Sequence, residues 1–385
     1  MKQKLKGLFF WLILCSSFIT NTVNAEDFSS RPQTNLEKPY RIAYYQGGGN
    51  EYYYDYLYVT TESLIKLGWI EPLIIPHFSD KNSRQLWLWL SDNIKSRYIE
   101  FVADGYYSAN WDNNIRHNNR ELLISRFNNI KDINMVFAMG TWAGQDLANN
   151  RHHVPTIVIS SSDPLRSGII KSTEDSGLEH LFSSYDPELQ NQQIKIFHKL
   201  IKFKKLGVPY ENTTNGRSYA GMDLIESASV ALGFEIVPCY TQSDITDQKL
   251  AEKSVIGCFD KLINKVDAIF ISDQGGVNNR STPKLTEIAN HYGIPTFSQS
   301  GERDVRYGYL LSLSRKFGFG PEGMFLAENI GKIINGAKPN NLKQLFDGEY
   351  RITLNMKTAK EIGLYLNADL LATADKLYWH IELPE

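Results

Sequence analysis

Short apolar segments alternate with helical segments along almost the whole of this 385-residue chain. In the first half, strands are predicted at 41–46, 73–76, 98–103, 134–139 and 155–160. The pattern restarts after a break near 163–187, and strands are then predicted at 205–210, 234–239, 266–271 and 294–298. Short apolar strands separated by helices are typical of a parallel sheet that helices cover on both faces. The sequence therefore predicts an α/β fold with two similar, Rossmann-like lobes.

Helices and further extended segments fill the chain between and after these strands. Helices are predicted at 84–96, 120–130, 187–202, 216–232, 248–264, 282–292 and 321–335. Extended segments are predicted at 307–314 and 350–355, and a last helix at about 368–380. Ligands of open α/β sheets bind beyond the carboxyl ends of the strands. Two sheets that face each other therefore predict a ligand-binding cleft between the lobes.

The amino-terminal segment has the pattern of an export signal. Three lysines precede the apolar run 8–15, and small residues stand three positions and one position before a cut after Ala25. This pattern predicts a signal peptide at 1–25 that is removed on export, followed by a loose polar leader at 26–39. The apolar run is too short to span a bilayer. We therefore expect the mature protein in the periplasm.

The three cysteines lead to two further expectations. Cys15 lies in the export signal, and lipid anchoring there is disfavoured because Leu14 precedes it, where a small residue is normally needed. Cys239 and Cys258 remain after export to an oxidising compartment, in which disulfides persist. A disulfide between them and two separate buried thiols are equally favoured, since the sequence does not determine their distance.

Charge and motif content exclude several classes of function. The chain has 41 Lys and Arg residues against 43 Asp and Glu residues, so there is no basic excess with which to bind nucleic acid. No HExxH motif, no spaced Cys/His ligand set and no GxSxG motif occurs. We therefore expect a protein that is not an enzyme and that has neither a metal site nor a cofactor.

Six segments, taken in order, resemble one family of exported proteins. They are 62–71, 136–143, 155–168, 266–273, 307–313 and 352–375. Together they make the chain similar to the substrate-binding proteins of bacterial ABC importers with the periplasmic-binding-protein type I fold, in the branch of tryptophan- and tyrosine-type binders. The chain departs from this family at 76–99 and 104–119, which are rich in Trp and Asn, and at the glycine triplet 47–49.

The resemblance implies two lobes that are joined by three crossings. The amino-terminal lobe would comprise 40–165 plus about 315–340, and the carboxyl-terminal lobe 185–310 plus about 345–380. The resemblance also implies a monomer that captures a small solute, such as an aromatic amino acid or a related compound, and presents it to an ABC permease. The alternative is a periplasmic ligand-sensing subunit of a membrane signalling receptor, which the sequence does not separate from transport.

Loops at the carboxyl ends of the predicted strands contain the candidate ligand-binding residues. In the first lobe these are Gly48, Gly49, Asn50, Tyr52, Thr141, Trp142, Ser161, Ser162 and Asp163. Glycines let backbone N–H groups approach a ligand, hydroxyls bind polar atoms, and the starts of helices favour a carboxylate. Tyr52 and Trp142 are candidates to stack on the ligand. The alternatives are a flexible turn for the glycines, packing for Trp142 and a turn-forming role for Asp163.

In the second lobe the candidates are Tyr210, Asn212, Asp273, Ser300 and Glu302. Asp273 follows a predicted strand, at a position where a carboxylate can meet a ligand ammonium. An acidic pair formed by Asp273 and Glu302 would suit an amine or an amino acid. The alternative for each of these residues is turn formation or helix capping.

Overall fold

Two α/β lobes form the computed structural model, which describes residues 28–33, 37–365 and 368–384. The first lobe has a five-stranded parallel sheet in the order β2-β1-β3-β4-β5. Its strands are β1 (Tyr40–Gln46), β2 (Ile99–Ser108), β3 (Met135–Met139), β4 (Thr156–Ile159) and β5 (Leu181–Ser183). Its first helices are α1 (Glu51–Leu67), α2 (Ser83–Asn93), α3 (Asn113–Ser125, continued by a π-helical turn at Arg126–Ile130) and α4 (Gly140–Leu147).

The first sheet is covered on both faces, and its central strand β1 is buried on both sides. Successive side chains of a strand point to opposite faces of the sheet. Ile42 and Tyr44 pack in one hydrophobic core, whereas Ala43 and Tyr45 pack in a second core on the other face. All four side chains are fully buried. This is the burial expected of a parallel strand between two layers of helices.

The second lobe has a seven-stranded sheet in the order β12-β11-β10-β9-β8-β6-β7, in which β11 runs antiparallel to β10. Its strands are β6 (Lys205–Tyr210), β7 (Glu235–Tyr240), β8 (Ala268–Ile271), β9 (Thr296–Ser298), β10 (Leu311–Arg315), β11 (Tyr350–Asn355) and β12 (Lys376–Tyr378). The helices that follow α4 are α5 (Pro187–Ile201), α6 (Thr214–Ala220), α7 (Met222–Leu232), α8 (Gln248–Leu262), α9 (Thr282–His291), α10 (Glu302–Arg306), α11 (Gly320–Ile334), α12 (Met356–Glu361) and α13 (Ala368–Thr373).

Helix α11 packs on the first lobe although it follows β10 of the second sheet. Leu326, Ala327 and Ile330 of α11 are fully buried in the same hydrophobic core as Ile42 of β1. The chain therefore passes to the second lobe after β5, returns to the first lobe after β10, and leaves it again before β11.

The strand predicted at 73–76 is wrong. This segment is an extended connection outside both sheets, and Ile74 is 93% exposed. The hydroxyl of Tyr58 on α1 donates a hydrogen bond to the carbonyl of Ile75 at 3.3 Å, so the segment packs along that helix rather than beside a strand. The fifth strand of the first sheet is instead β5, which lies inside the predicted break at 163–187.

Three predicted helices are wrong in their extent. The helix predicted at 368–380 is α13, which already ends at Thr373. Strand β12 follows it and pairs with β11. The helix predicted at 216–232 is two helices, α6 and α7, because Gly221 takes a left-handed φ of 62° between them. The helix predicted at 120–130 starts earlier, as α3, because Asp112 caps the first turn with its carboxylate.

Residues 28–33, a described part of the predicted leader at 26–39, contact the first lobe. The carbonyl of Ser30 accepts a hydrogen bond from Trp69 Nε1 at 2.7 Å. The predicted signal peptide at 1–25 lies outside the described residues. Within the described ranges, no helix is both long enough and apolar enough to cross a membrane.

A disulfide joins Cys239 in β7 to Cys258 in α8. Of the two alternatives that the sequence left open, the structure thus contains the bridge. The two Cα atoms lie 5.6 Å apart, and both side chains are buried. The bond fastens β7, the last strand in the order of the second sheet, to the helix that covers it.

Candidate functional site

Loops from both lobes enclose a cleft at the carboxyl ends of their parallel strands. A central cavity of about 60 Å³ lies in this cleft. The loops after β1, β3 and β4 contribute Gly49, Asn50, Thr141 and Ser162 to its lining, and the loop after β8 contributes Asp273. The structure therefore brings five predicted residues from four strand ends together around one space.

Two wider chambers adjoin the central cavity, and Asp273 lines all three spaces. The smaller chamber has a volume of about 160 Å³ and is lined by the predicted residues Tyr52, Ser161 and Ser300. The larger chamber has a volume of about 680 Å³ and is lined by Tyr52 and Gly49 among others. Asp273 is thus common to these three spaces.

The carboxylate of Asp273 has no protein partner. Among the described residues, no donor or cation is bonded to it, although its backbone N–H donates to Gln299 Oε1 at 3.0 Å. Burial and the charge of Asp304 together raise the pKa of Asp273 to about 6, although the charge of Arg303 opposes the rise. A partly buried carboxylate without a bonded partner is suited to bind a ligand cation.

A second carboxylate, Asp244, lines the same cavity and bridges the two lobes. Its Oδ2 atom accepts hydrogen bonds from Trp142 Nε1 in the first lobe and from the Tyr219 hydroxyl in the second, both at 2.9 Å. Burial and the charge of Glu211 raise the pKa of Asp244 to about 6, although the hydrogen bonds from Tyr219 and Trp142 oppose the rise. Sequence reasoning missed Asp244 because no motif marks the loop between β7 and α8.

Trp142 is not the open stacking wall that the sequence predicted. Its side chain is only 5% exposed. The guanidinium of Arg116 lies 4.4 Å from the centre of the indole ring, and Trp111 packs edge-on against it at 5.4 Å. Because its Nε1 atom is also bonded to Asp244, Trp142 serves to join the lobes, and the alternative of a packing role is closer to the structure.

Trp111 lines the central cavity instead. Asn110 and Trp111 take left-handed φ angles of 52° and 60°, which direct the indole over the glycine triplet. A Cβ atom on Gly48 would lie 2.3 Å from Trp111 Nε1, and one on Gly47 would lie 2.7 Å from the Cβ of Trp142. The triplet therefore makes room for two indoles, and Gly48, a predicted ligand-binding residue, supports Trp111 rather than lining the cavity.

Tyr53 and Tyr219 complete the aromatic lining of the central cavity. The hydroxyl of Tyr53 lies over the start of α4, since a Cβ atom on Gly140 would be 1.9 Å from it. The next hydroxyl, of Thr141, is bonded to that of Ser161 at 3.2 Å. These three hydroxyls therefore lie beside the first turn of α4, which has no side-chain cap and which the sequence predicts to hold a ligand carboxylate.

Tyr52 contacts the second lobe rather than standing free as a stacking wall. The guanidinium of Arg303 lies 5.2 Å from the centre of its ring, and Phe319 lies at 5.6 Å. Its hydroxyl donates to the carbonyl of Ser300 at 3.4 Å. Arg303 also pairs with Glu51 across the cleft, so this side of the cleft is closed by charge and ring contacts between the lobes.

The predicted acidic pair of Asp273 and Glu302 is not formed. The carboxylate of Glu302 pairs with Arg351 and Lys376 and accepts a hydrogen bond from the hydroxyl of Tyr378 at 2.6 Å. These partners satisfy the carboxylate, so Glu302 ties α10 to β11 and β12 and is not left to bind a ligand amine.

Three other predicted residues lie outside the cleft lining. Tyr210 is 3% exposed and packs edge-on against Tyr240 at 5.7 Å. Asn212 is exposed on the loop after β6. Asp163 is buried, and its carboxylate accepts a hydrogen bond from the backbone N–H of Arg166 at 2.9 Å, so it forms the turn that was its alternative role.

Asp244 and Asp273 are the charged residues in the described lining of the central cavity. Among the described residues, neither Lys nor Arg lines this space. In the same part of the chain, no group of three His, Cys, Asp or Glu side chains is placed to hold a metal ion. The lining of the central cavity is therefore acidic and aromatic.

An asparagine in place of Asp244 tests the burial of this carboxylate. Because the pKa is raised, the folded protein binds the proton at higher pH than the unfolded chain does, and ionisation costs stability as the pH rises through about 4 to 6. We expect Asp244→Asn to gain about 1–2 kcal/mol of unfolding free energy relative to wild type between about pH 4 and pH 7. Denaturation with urea at several pH values measures this gain. A difference that does not change with pH would contradict it, and Asp260→Asn on the exposed side of α8 is the control.

Comparison with known proteins gives the family and a curated relative. The profile of the family described as ABC transporter substrate binding protein matches residues 102–378. A protein of Clostridioides difficile (strain R20291) named tyrosine-binding protein is 24% identical over 239 residues, which are 61% of this chain. The match covers 65% of that relative, slightly less than two thirds of its length.

Solved structures share the predicted periplasmic-binding-protein type I fold, which is thereby confirmed. The ABC domain from Streptococcus pneumonia in complex with L-Trp has a TM-score of 0.61 and 17% identity, over 87% of this chain and 99% of that one. A conserved domain protein from Vibrio cholerae has a TM-score of 0.63 and 17% identity, over 88% of this chain and 100% of that one. With the family profile spanning most of the chain, this protein belongs to the ABC transporter substrate-binding proteins.

Proposed function

We propose that this protein is the exported solute-binding component of an ABC importer and that it binds a small aromatic amine, either an aromatic amino acid or a related compound, between its lobes. The observation that carries the proposal is the carboxylate of Asp273, which faces the cleft with no partner among the described residues. A ligand ammonium would form a charge-assisted hydrogen bond there and relieve the cost of an unpaired, desolvated charge.

Aromatic side chains around Asp273 support an aromatic ligand. Tyr53, Trp111 and Tyr219 line the central cavity, and Tyr52 lines both adjoining chambers. Rings of this kind contribute large apolar contact areas and favourable ring–ring geometry. The Clostridioides difficile relative is named for tyrosine and the Streptococcus structure contains L-Trp, which agrees with a ligand of this class.

Contacts between the lobes support a mechanism of capture by closure. Residues of both lobes line the same cavity, so a ligand there stabilises the arrangement in which the lobes are together. Direct bonds add to it, including those from Trp142 to Asp244 at 2.9 Å and from Gln145 to Asn215 at 3.0 Å. A permease that recognises only this arrangement would receive the protein with its ligand bound. The mechanism is a shift of population towards the arrangement in which the lobes are together, and no covalent bond is broken.

Calorimetric titration of the purified protein with tryptophan, tyrosine, phenylalanine and their decarboxylated amines tests the ligand class. We expect at least one of these ligands to bind, and Asp273→Asn to weaken that binding by about 10- to 100-fold, which is about 1.4–2.7 kcal/mol, because the ammonium loses its charged acceptor. Asp260→Asn removes the same charge from an exposed site on α8 and should bind as tightly as wild type.

Two results would count against the proposal. If none of the six compounds binds, the cleft does not take aromatic amines. If Asp273→Asn retains wild-type affinity, its carboxylate is not the ammonium site. The importer role is measured separately, by uptake of the labelled ligand in cells with and without the gene for this protein, and uptake that does not depend on the gene would refute that role.

A further inference from the structure

The glycine triplet 47–49 and the loop after β2 lie far apart in the sequence and contact each other in the structure. The backbone N–H of Trp111 donates a hydrogen bond to the carbonyl of Gly47 at 2.9 Å. A Cβ atom on Gly48 would overlap three atoms of the Trp111 indole, Nε1, Cδ1 and Cε2, at nearly equal distances. The face of the five-membered ring, rather than its edge, therefore lies against the backbone of Gly48.

The backbone of Trp111 has a conformation that a bulky residue rarely adopts. Asn110 and Trp111 both have left-handed φ angles, of 52° and 60°. Asparagine tolerates this region, whereas tryptophan is strained there, and such strain persists only where the surrounding structure enforces it. The N–H of Ala109 donates to the carbonyl of Gln46 at 3.0 Å, and that of Asp112 donates to the carbonyl of Ala109 at 2.9 Å. The fold therefore holds the turn, and with it the indole, in one position.

The hydrophobic cores do not account for the position of this indole. Trp111 is half-buried and is not among the residues of the four hydrophobic cores in the described part of the chain. Trp87, by contrast, is fully buried in the core of the first lobe. The indole of Trp111 instead packs edge-on with Trp142 at 5.4 Å and lines the central cavity. Strain at a ring that no core uses indicates a role at the cleft.

The other two rings of the central cavity are directed by contacts of their hydroxyl groups. Tyr219 donates to Asp244 at 2.9 Å, and the hydroxyl of Tyr53 lies against Gly140. The cavity volume of about 60 Å³ holds about four to six water-sized groups, which is comparable with the carbons of one phenyl ring. An aromatic ring that enters so small a space would contact the indole of Trp111.

We infer that Trp111 is the ring against which the aromatic ligand packs and that Gly48 positions it. The inference rests on the proposed function, because it concerns the ligand of the same cleft. The indole provides a rigid apolar surface of fixed orientation, with which a second aromatic ring makes favourable contacts. A side chain at position 48 would occupy the place of the indole and displace it from the cavity. Gly48 is therefore a positioning residue that acts on the ligand through Trp111.

Two variants of Trp111 test the ring contact by calorimetric titration with tryptophan, tyrosine, phenylalanine and their decarboxylated amines. We expect Trp111→Ala to weaken the tightest of these ligands by at least about 10-fold, because the ligand ring loses its partner surface. Trp111→Phe keeps an aromatic ring at this position and should weaken binding by no more than about threefold. Trp379→Ala removes an exposed indole that lines none of the three cleft spaces and should bind as tightly as wild type.

A double variant tests the part played by Gly48. Gly48→Ala should weaken the same ligand about as much as Trp111→Ala does, although Gly48 does not line the cavity. In Gly48→Ala combined with Trp111→Ala, the added methyl group meets no indole, so we expect an affinity within about twofold of that of Trp111→Ala alone. Two independent losses would multiply instead. Gly257→Ala on α8 adds a methyl group in open space and should keep the wild-type affinity.

The outcomes separate the inference from the proposed function. If one of the six compounds binds and Trp111→Ala retains the wild-type affinity, the inference is overturned while the proposed function stands. If none of them binds to the wild type, both are overturned. Losses that multiply in the double variant would overturn the positioning role of Gly48. Should Gly48→Ala alone not fold, the double variant is expected to fold and to bind like Trp111→Ala, and its failure to fold would overturn the positioning role as well.

Discussion

Replacing Glu322 with alanine is expected to lower the free energy of unfolding by about 3–5 kcal/mol. Glu322 lies in the first turn of α11, is 3% exposed and pairs with Arg315 at the end of β10. Its carboxylate also accepts hydrogen bonds from the hydroxyls of Tyr56 at 2.5 Å and Ser184 at 2.6 Å. Without it, the largely buried guanidinium of Arg315 keeps Asp186, at 3.5 Å, as its one counter-charge among the described residues.

The position of this network explains why a large effect is expected. Arg315, Ser184 and Glu322 lie where the chain passes between the lobes. Loss of the Glu322 carboxylate therefore weakens the connection between the two lobes and does not affect a single surface alone. Urea denaturation of the two proteins measures the change. The control is Glu349→Ala, which removes a pair with Lys316 at 3.0 Å whose side chains are 43% and 67% exposed, and it should cost about 1 kcal/mol or less. Equal losses in the two variants would contradict the assignment of a buried network.

Replacing Trp87 with alanine is expected to cost about 3–5 kcal/mol as well, for a different reason. Trp87 on α2 is fully buried, with Tyr44 at 5.4 Å and Phe101 at 5.1 Å between ring centres. Its Nε1 atom donates to the carbonyl of Val102 at 2.9 Å. Alanine would leave a cavity among these rings and an unpaired carbonyl in the core.

Thermal and chemical denaturation of Trp87→Ala measures this loss, and Trp379→Ala is the control. Trp379 is 62% exposed, so its removal should change stability by no more than about 0.5 kcal/mol. Similar stabilities of the two variants would show that Trp87 is not a core residue. The result would also explain part of the Trp-rich stretch that departs from the family, because Trp87 packs the first lobe and Trp111 lines the cleft.

The alternation of strands and helices was sufficient to predict most of both sheets, because buried parallel strands are short apolar runs that helices separate. The run at 73–76 is equally apolar, yet it packs along α1, and only contacts distant in sequence reveal this. Strand β5 was missed for the converse reason: it is three residues long, and its pairing with β4 identifies it. Local pattern therefore predicts elements better than it predicts which of them join a sheet.

The same limit applies to the cleft. Asp273 was predictable because it directly follows a strand whose carboxyl end must face the ligand. Trp111 and Asp244 were not predictable. A left-handed backbone positions Trp111, and Trp142 of the other lobe donates a hydrogen bond to Asp244. Glu302 is a predicted ligand-binding residue whose carboxylate pairs with Arg351 and Lys376, and these partners lie far along the chain. Side chains whose role depends on such contacts have no local signal.

The disulfide at β7 has a consequence for the free protein in concentrated solution. As the last strand in the described sheet, β7 is an edge, and the unpaired backbone groups of an edge can recruit a strand from another molecule. Pro238 removes one N–H from the middle of this strand, and the bond from Cys239 to Cys258 holds the neighbouring residue against α8. The covalent tie and the proline together make this edge a poor template for aggregation.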